Sequence, residues 1–371
     1  MPGKYIENYN HVPETKEDLD YAELITLDLE LYEQPGGKEK LVKQLDHAVR
    51  NVGFFYVKNF GISQEEVDRQ FAFGREFYAL PLEEKLKFHN AEDLARGEYN
   101  GYRPAGHRIL GNGIKDNVQV YNIPKFDGHH QRQQPPVLAE NIEEIEAFSR
   151  KCHTEVVEKL LRLFAILLEL PDEDQLVRDH QYDVKGEDHL RYMHYAARSV
   201  EENKKVGELY SPGHTDLGTV TLLFRQPVSG LQILNSEGQW KYVKPQNATL
   251  TVNTCDSLTA LTGGLIKSSV HRIRLTLTDW GFSILLGTII FPNNHIVLDP
   301  IQNSPVLQRL GLTTNAFTEL GQHLTTEQWV QVRQTQQQRR NRDVKVTTEG
   351  KYTYKPKDLE IIPGLQATIY N

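Results

Sequence analysis

Apolar positions in the first half of the chain fall mainly at helical spacing, and those in the second half fall in short alternating runs. In KEKLVKQLDHAVRNVG, Leu41, Leu45, Val49 and Val52 share one helical face. The preceding ELITLD, residues 23–28, alternates weakly and reads as an edge strand. FFYVKNF, residues 54–60, is aromatic and β-branched and stops at Gly61, which predicts a strand. Ser63 then precedes QEEVDRQFAFGREFYAL, whose acidic first turn and closing Pro81 mark the two ends of a helix. Residues 89–140 carry many Gly, Pro, His and Asn and predict loops, among them GYRPAGH at 101–107. From Asn141 to Leu170 an apolar face through Ile145, Phe148, Cys152, Val156, Leu160 and Phe164 predicts one long helix ended by Pro171.

Beyond residue 188 the period changes. LRYMHYAA, TVTLLFR, LQILN, WKYVK, LTVNT, VHRIRLTL, FSILLGTIIF and HIVLD are short runs separated by turn residues, which predicts an all-β barrel or sandwich. A last helix is expected from the N-cap Thr325 through TTEQWVQVRQTQQQRRNR, with its Gln and Arg run forming a solvated face. The expected organisation is an N-terminal α/β region at 1–140, a central helix at 141–187, a β core at 188–310 and a C-terminal helix and tail at 311–371, all in one compact unit.

Charge narrows the function. A net charge of −8 and a pI near 6.0 argue against nucleic acid as a partner. Cys152 and Cys255 are too few for a disulfide framework or a cysteine zinc cluster, and they read as buried reduced thiols. With no apolar run of membrane-spanning length and no signal-peptide pattern at the start, the expectation is a soluble chain of the cytoplasm with no membrane partner. The oligomeric state is not readable from the residues.

The candidate chemistry lies in YSPGHTDLGTVTLLF, residues 210–224, where two polar side chains open an apolar run. On one strand His214 and Asp216 would face the same side. His271, on another predicted strand, is the candidate third ligand, because barrel closure would bring it opposite the first pair. Two imidazoles and one carboxylate on one face of a metal leave open positions, as in non-haem Fe(II) oxygenases. Two hydrogen-bonded polar residues at a strand edge would account for His214 and Asp216 equally well.

The segment from PGHTDLGTVTLLF through GLQILN, WKYV, VNTCD and GGLIKSSVHRIR resembles, in order, the iron-binding region of the isopenicillin N synthase-like, Fe(II)- and 2-oxoglutarate-dependent dioxygenases. GFFYVKNFGI, FYALPLEEKLKF and FAILLELPDED are similar to that family's leading and central parts. The resemblance implies a mainly β fold with flanking helices, in which an α/β N-terminal region precedes a double-stranded β-helix (jelly-roll) core. It implies His214, Asp216 and His271 as iron ligands, with no catalytic residue beyond them. It also implies 2-oxoglutarate and O₂ as cosubstrates in the hydroxylation, desaturation or cyclisation of a small-molecule substrate. Tyr195 matches a tyrosine that touches the distal carboxylate of 2-oxoglutarate, and Ser283 matches a small residue at the same subsite. Tyr102 and Arg103 match a loop beside the substrate. His107, His129, His130 and His295 match no motif.

One position departs from the family. An arginine on the strand after the second ligand histidine, followed two residues later by a small residue, should pair with that carboxylate. One spacing puts Gly281 and Ser283 at the two positions and the other puts Leu285 and Gly287 there, so neither supplies a cation. Arg272 belongs to the H-R motif; Arg274 and Arg191 are unassigned, and alternation points Arg274 away from His271. Three accounts follow: a cation from elsewhere, an iron oxidase that does not use 2-oxoglutarate, or a catalytically silent relative that binds a small ligand. A zinc hydrolase is the remotest reading, since no Glu-bearing helix accompanies the ligands.

Overall fold

The computed structural model describes residues 6–96, 98, 100–111, 113–275, 282–342, 345–346, 352–353 and 360–368. In chain order the strands are β1 (Thr26–Asp28), β2 (Phe54–Lys58), β3 (Gly101–Arg103), β4 (Ile109–Gly111) and β5 (Ile114–Lys115), which form a separate hairpin, β6 (Val118–Pro124) and β7 (His189–Ala196). They continue with β8 (Leu209–His214), β9 (Val220–Phe224), β10 (Leu231–Leu234), β11 (Trp240–Tyr242), β12 (Thr249–Thr254), β13 (His271–Arg274) and β14 (Phe282–Ile290). An eight-stranded sheet runs β1-β2-β12-β9-β14-β7-β6-β3 and a four-stranded sheet runs β11-β10-β13-β8. The jelly-roll core is therefore shared, because strands from residues 26–124 extend the sheet built by β7, β9, β12 and β14.

Alternation along each strand of the large sheet sorts its side chains between two environments. On β7, Leu190 and Tyr192 are buried toward the helices, whereas Arg191, Met193 and Tyr195 line a cavity on the face turned to the small sheet. The helical side is dense. The helix Gln64–Tyr78 begins at Ser63, whose hydroxyl accepts from Glu66 N while the Glu66 carboxylate accepts from Ser63 N, a reciprocal cap worth about 1 kcal/mol. The same helix brings Gly74 so close to the sheet that a Cβ there would lie 3.1 Å from the Tyr192 ring.

The long helix is interrupted. Ile142–Lys151 and Glu158–Leu167 are α-helical, but Cys152–Val157 between them forms a wider π turn. Its extra residue keeps Val156, Val157, Leu160 and Leu161 all fully buried. HIVLD does not form the expected strand: only Val297 makes a bridge, to Thr325. The last helix, Thr326–Arg342, is capped as expected, with Thr325 Oγ1 accepting from Gln328 N. Its face is not simply solvated, because Gln334 and Gln336 are buried and Arg333 pairs with Asp256 at 2.9 Å. No helix among the described residues is long and apolar enough to cross a membrane. Both cysteines are free and buried.

Candidate metal centre

His214 ends β8 and His271 begins β13, and antiparallel pairing makes them direct cross-strand partners with ring centroids 4.3 Å apart. Asp216 does not continue β8. It lies in the bend before β9, so it joins His214 by a change of chain direction and not by strand alternation. One ligand atom from each of the three residues falls within 4.8 Å of the others, the tightest requirement of a metal site.

Local hydrogen bonds aim the ligand atoms. His214 Nδ1 faces Pro212 O at 2.9 Å and His271 Nδ1 faces Ser269 O at 3.0 Å. A carbonyl only accepts, so each ring carries its proton on Nδ1 and presents a bare Nε2 lone pair. Each Nε2 lies 3.8 Å from Asp216 Oδ1. Asp216 Oδ2 accepts from Thr221 Oγ1 at 2.8 Å and from Asn253 Nδ2 at 3.1 Å, which reserves Oδ1 for the common point. Behind His271, the Phe54 ring packs edge-on at 5.6 Å. Gly53 makes that approach possible: its φ is 73°, and a Cβ there would meet Ser269 Oγ at 2.0 Å.

The electrostatics suit a cation. Burial opposes ionisation of Asp216, but the imidazoles of His271 and His214 and the bonds from Asn253 and Thr221 outweigh it and hold the carboxyl far below its ordinary range. Burial, with help from His271, pushes His214 down to about 3, so its imidazole stays neutral at any working pH. The His214 side chain is 39% exposed, but it lines a cavity walled by protein from both sheets, so the ring sits in a poorly solvated space. Two imidazole nitrogens and one carboxylate oxygen on one side, with the remaining directions open, fit a ferrous ion.

The three groups stand at one wall of a cavity of ≈ 200 Å³ between the sheets. Tyr195, Tyr102 and Arg103, named from sequence, all line it. Tyr102 donates its hydroxyl to Gln119 Oε1 at 2.6 Å and is buried, so its phenol is already committed. Gly281 and the side chain of Ser283 lie outside the described residues; the Ser283 backbone pairs with Tyr195. Arg272 stacks on Trp240 at 4.0 Å and Arg274 pairs with Glu208 at 3.0 Å, so neither turns into the cavity. Sequence reasoning passed over His107, Arg108, His189 and Gln334, which also line it. Burial depresses His107 to about 4 and His189 to about 3, so both are neutral. Their signal in the sequence was absent, since each reaches the cavity only through tertiary packing of distant segments.

Residues 24–142 match the profile of the non-haem dioxygenase in morphine synthesis N-terminal family, and residues 187–280 match that of the 2OG-Fe(II) oxygenase superfamily. The chain is 30% identical over 290 residues to a probable iron/ascorbate oxidoreductase of Dictyostelium discoideum, covering 70% of this chain and 78% of that one. It is 28% identical over 263 residues to a 2-oxoglutarate-dependent dioxygenase of Didymella fabae, covering 66% and 77%. Among solved structures, a full-length Neurospora crassa protein in complex with alpha-KG and thymine superposes with a TM-score of 0.70 at 21% identity, covering 84% of this chain and 96% of that one. That likeness shows the fold.

Proposed function

The chain belongs to the 2OG-Fe(II) oxygenase superfamily and is an Fe(II)- and 2-oxoglutarate-dependent dioxygenase, and from that premise we propose that His214, Asp216 and His271 hold its iron and that it oxidises a small organic molecule in the cavity beside them. The observation that carries this reading is the convergence of three ligand atoms within 4.8 Å, each oriented by its own hydrogen bonds, at the wall of an enclosed cavity.

When bound, the ferrous ion supplies the coordination of oxoacid and O₂ and the oxidising chemistry that couples them. The chain does the rest. Pro212 and Ser269 carbonyls keep the imidazoles in the ligating tautomer, and Thr221 and Asn253 keep the carboxylate turned to them. The apolar side chains Leu223, Leu285, Ile289 and Phe291 line the cavity and would exclude water from it. The C-terminal helix narrows the cavity with Gln334 and Gln337. Tyr102 and Arg103 line the cavity and would contact the substrate, and Tyr195, on the strand whose backbone pairs with that of Ser283, would contact the cosubstrate. Two free thiols with no disulfide support a reducing, cytoplasmic setting.

The test is spectroscopic. Anaerobic protein mixed with Fe(II) and 2-oxoglutarate should develop a metal-to-ligand charge-transfer absorption, and admitting O₂ should yield succinate. Folded protein that gives neither, or that consumes oxygen equally without the oxoacid, would contradict the cosubstrate assignment.

A further inference from the structure

A dicarboxylate drawn into this cavity needs a cation at its far end, because burying an unpaired carboxylate costs several kcal/mol. The strand β14 does not provide one: its described cavity-facing side chains are Leu285 and Ile289, with Gly287 between them. The cavity nevertheless holds cations. Arg103, Arg108 and Arg191 all line it, against Asp116, whose Oδ1 already accepts from the backbone of Gly106 and His107.

The three guanidinium groups are not equivalent. Arg191 is committed, since its Nε donates to Asn122 Oδ1 at 2.9 Å and its Nη2 meets His189 Nε2 at 3.0 Å. Arg108 acts electrostatically on both His214 and Tyr195, and on Tyr195 less strongly than Arg103 does. Arg198, just beyond β7, is fixed by Leu209 O and Asn117 Oδ1 and stacks on Tyr210 at 4.4 Å. Arg103 makes no side-chain hydrogen bond among the described residues, and it is the strongest of the arginines acting on Tyr195.

Register shows why Arg103 can serve. Arg103 pairs with Val120 on β6, Val120 with Met193 on β7, and Met193 with Leu285 on β14. These four side chains form a single row across the cavity floor, next to the row that contains Tyr195. Two strand spacings, roughly 10 Å, separate β3 from β7, a gap that an arginine side chain and a carboxylate together can span.

We propose that Arg103, reaching in from β3 at the sheet edge, receives the distal carboxylate of 2-oxoglutarate beside the Tyr195 hydroxyl, in place of a cation on β14. This rests on the dioxygenase reading above, and it reassigns Arg103 from substrate contact to cosubstrate binding. A guanidinium can offer two parallel N–H donors to one carboxylate, which lysine cannot.

The experiment titrates the full-length protein, loaded anaerobically with Fe(II), with 2-oxoglutarate and in parallel with 2-oxobutyrate, which lacks the distal carboxylate. Charge-transfer absorption reports binding. Arg103→Leu is expected to weaken 2-oxoglutarate roughly 30-fold or more, the loss of a bidentate ionic pair, and to leave 2-oxobutyrate within about threefold. Arg103→Gln, similar in length and polar, gives the same pattern if the leucine variant does not fold. Unchanged 2-oxoglutarate binding in both variants, equal weakening of both oxoacids, or a loss confined to Arg108→Leu would overturn the assignment. Wild-type protein that binds Fe(II) but neither oxoacid would overturn the dioxygenase reading itself, and the assignment with it.

Discussion

Asn253 donates to Asp216 Oδ2 across 3.1 Å, and with Thr221 it leaves the other carboxylate oxygen facing both imidazoles. Asn253 lies on β12 and Thr221 on β9, and the two are register partners, so sheet pairing itself sets the carboxylate's rotation. Asn253→Ala should therefore weaken metal binding by about 10–100-fold without removing a ligand. Competition of the variant and wild type against a metal-chelating indicator measures this. Equal affinities would show that the bond does not orient Asp216.

Acid should destabilise the metal-free protein. Burial holds His180 at about 3 and His153 at about 4, whereas both return toward 6.5 on unfolding. Between those values the unfolded chain binds more protons than the native one, so stability falls as pH drops from about 6.5 toward 4. Asp188 works the other way: burial, partly offset by Lys125, lifts it to about 6, so below that pH the native state binds its proton first. The histidines outnumber it. Thermal midpoints measured from pH 7 to 4.5 should fall, and His180→Gln should flatten the slope by up to about one proton. A flat profile for the wild type would contradict this.

Much of this site was legible because metal chemistry admits few ligand types. His214, Asp216 and His271 stood out as polar residues in otherwise apolar runs, and the pairing of β8 with β13 brings the histidines together as barrel closure suggested. The bend that turns Asp216 was not legible, since it depends on Thr221 and Asn253, which look like ordinary strand residues. Arg103 was visible only as part of a loop motif. Its reach toward Tyr195 depends on a row of four residues from four strands, and no local pattern encodes that row. Gln334 was hidden for another reason: beyond Val332 its helix is polar all round and shows no apolar stripe to mark which side docks, yet Gln334 is buried against the cavity.

The core should respond to truncation as a close-packed interior does. Leu250 on β12 is 0% exposed and stands between Val57 of β2 and Phe224 of β9. Leu250→Ala should cost about 2–5 kcal/mol, the transfer term plus the cavity left behind. Urea denaturation measures it, and a loss below about 1 kcal/mol would mean that the site collapses to fill the space.

If His214, Asp216 and His271 together hold one iron, losing any one of them should empty the site. Anaerobic loading with Fe(II), removal of free metal and assay of bound iron should give about one equivalent for the wild type. His214→Ala, Asp216→Ala and His271→Ala should each retain under about a tenth of that while keeping the wild-type circular dichroism. A folded variant of any of the three that still holds near one equivalent would contradict the account.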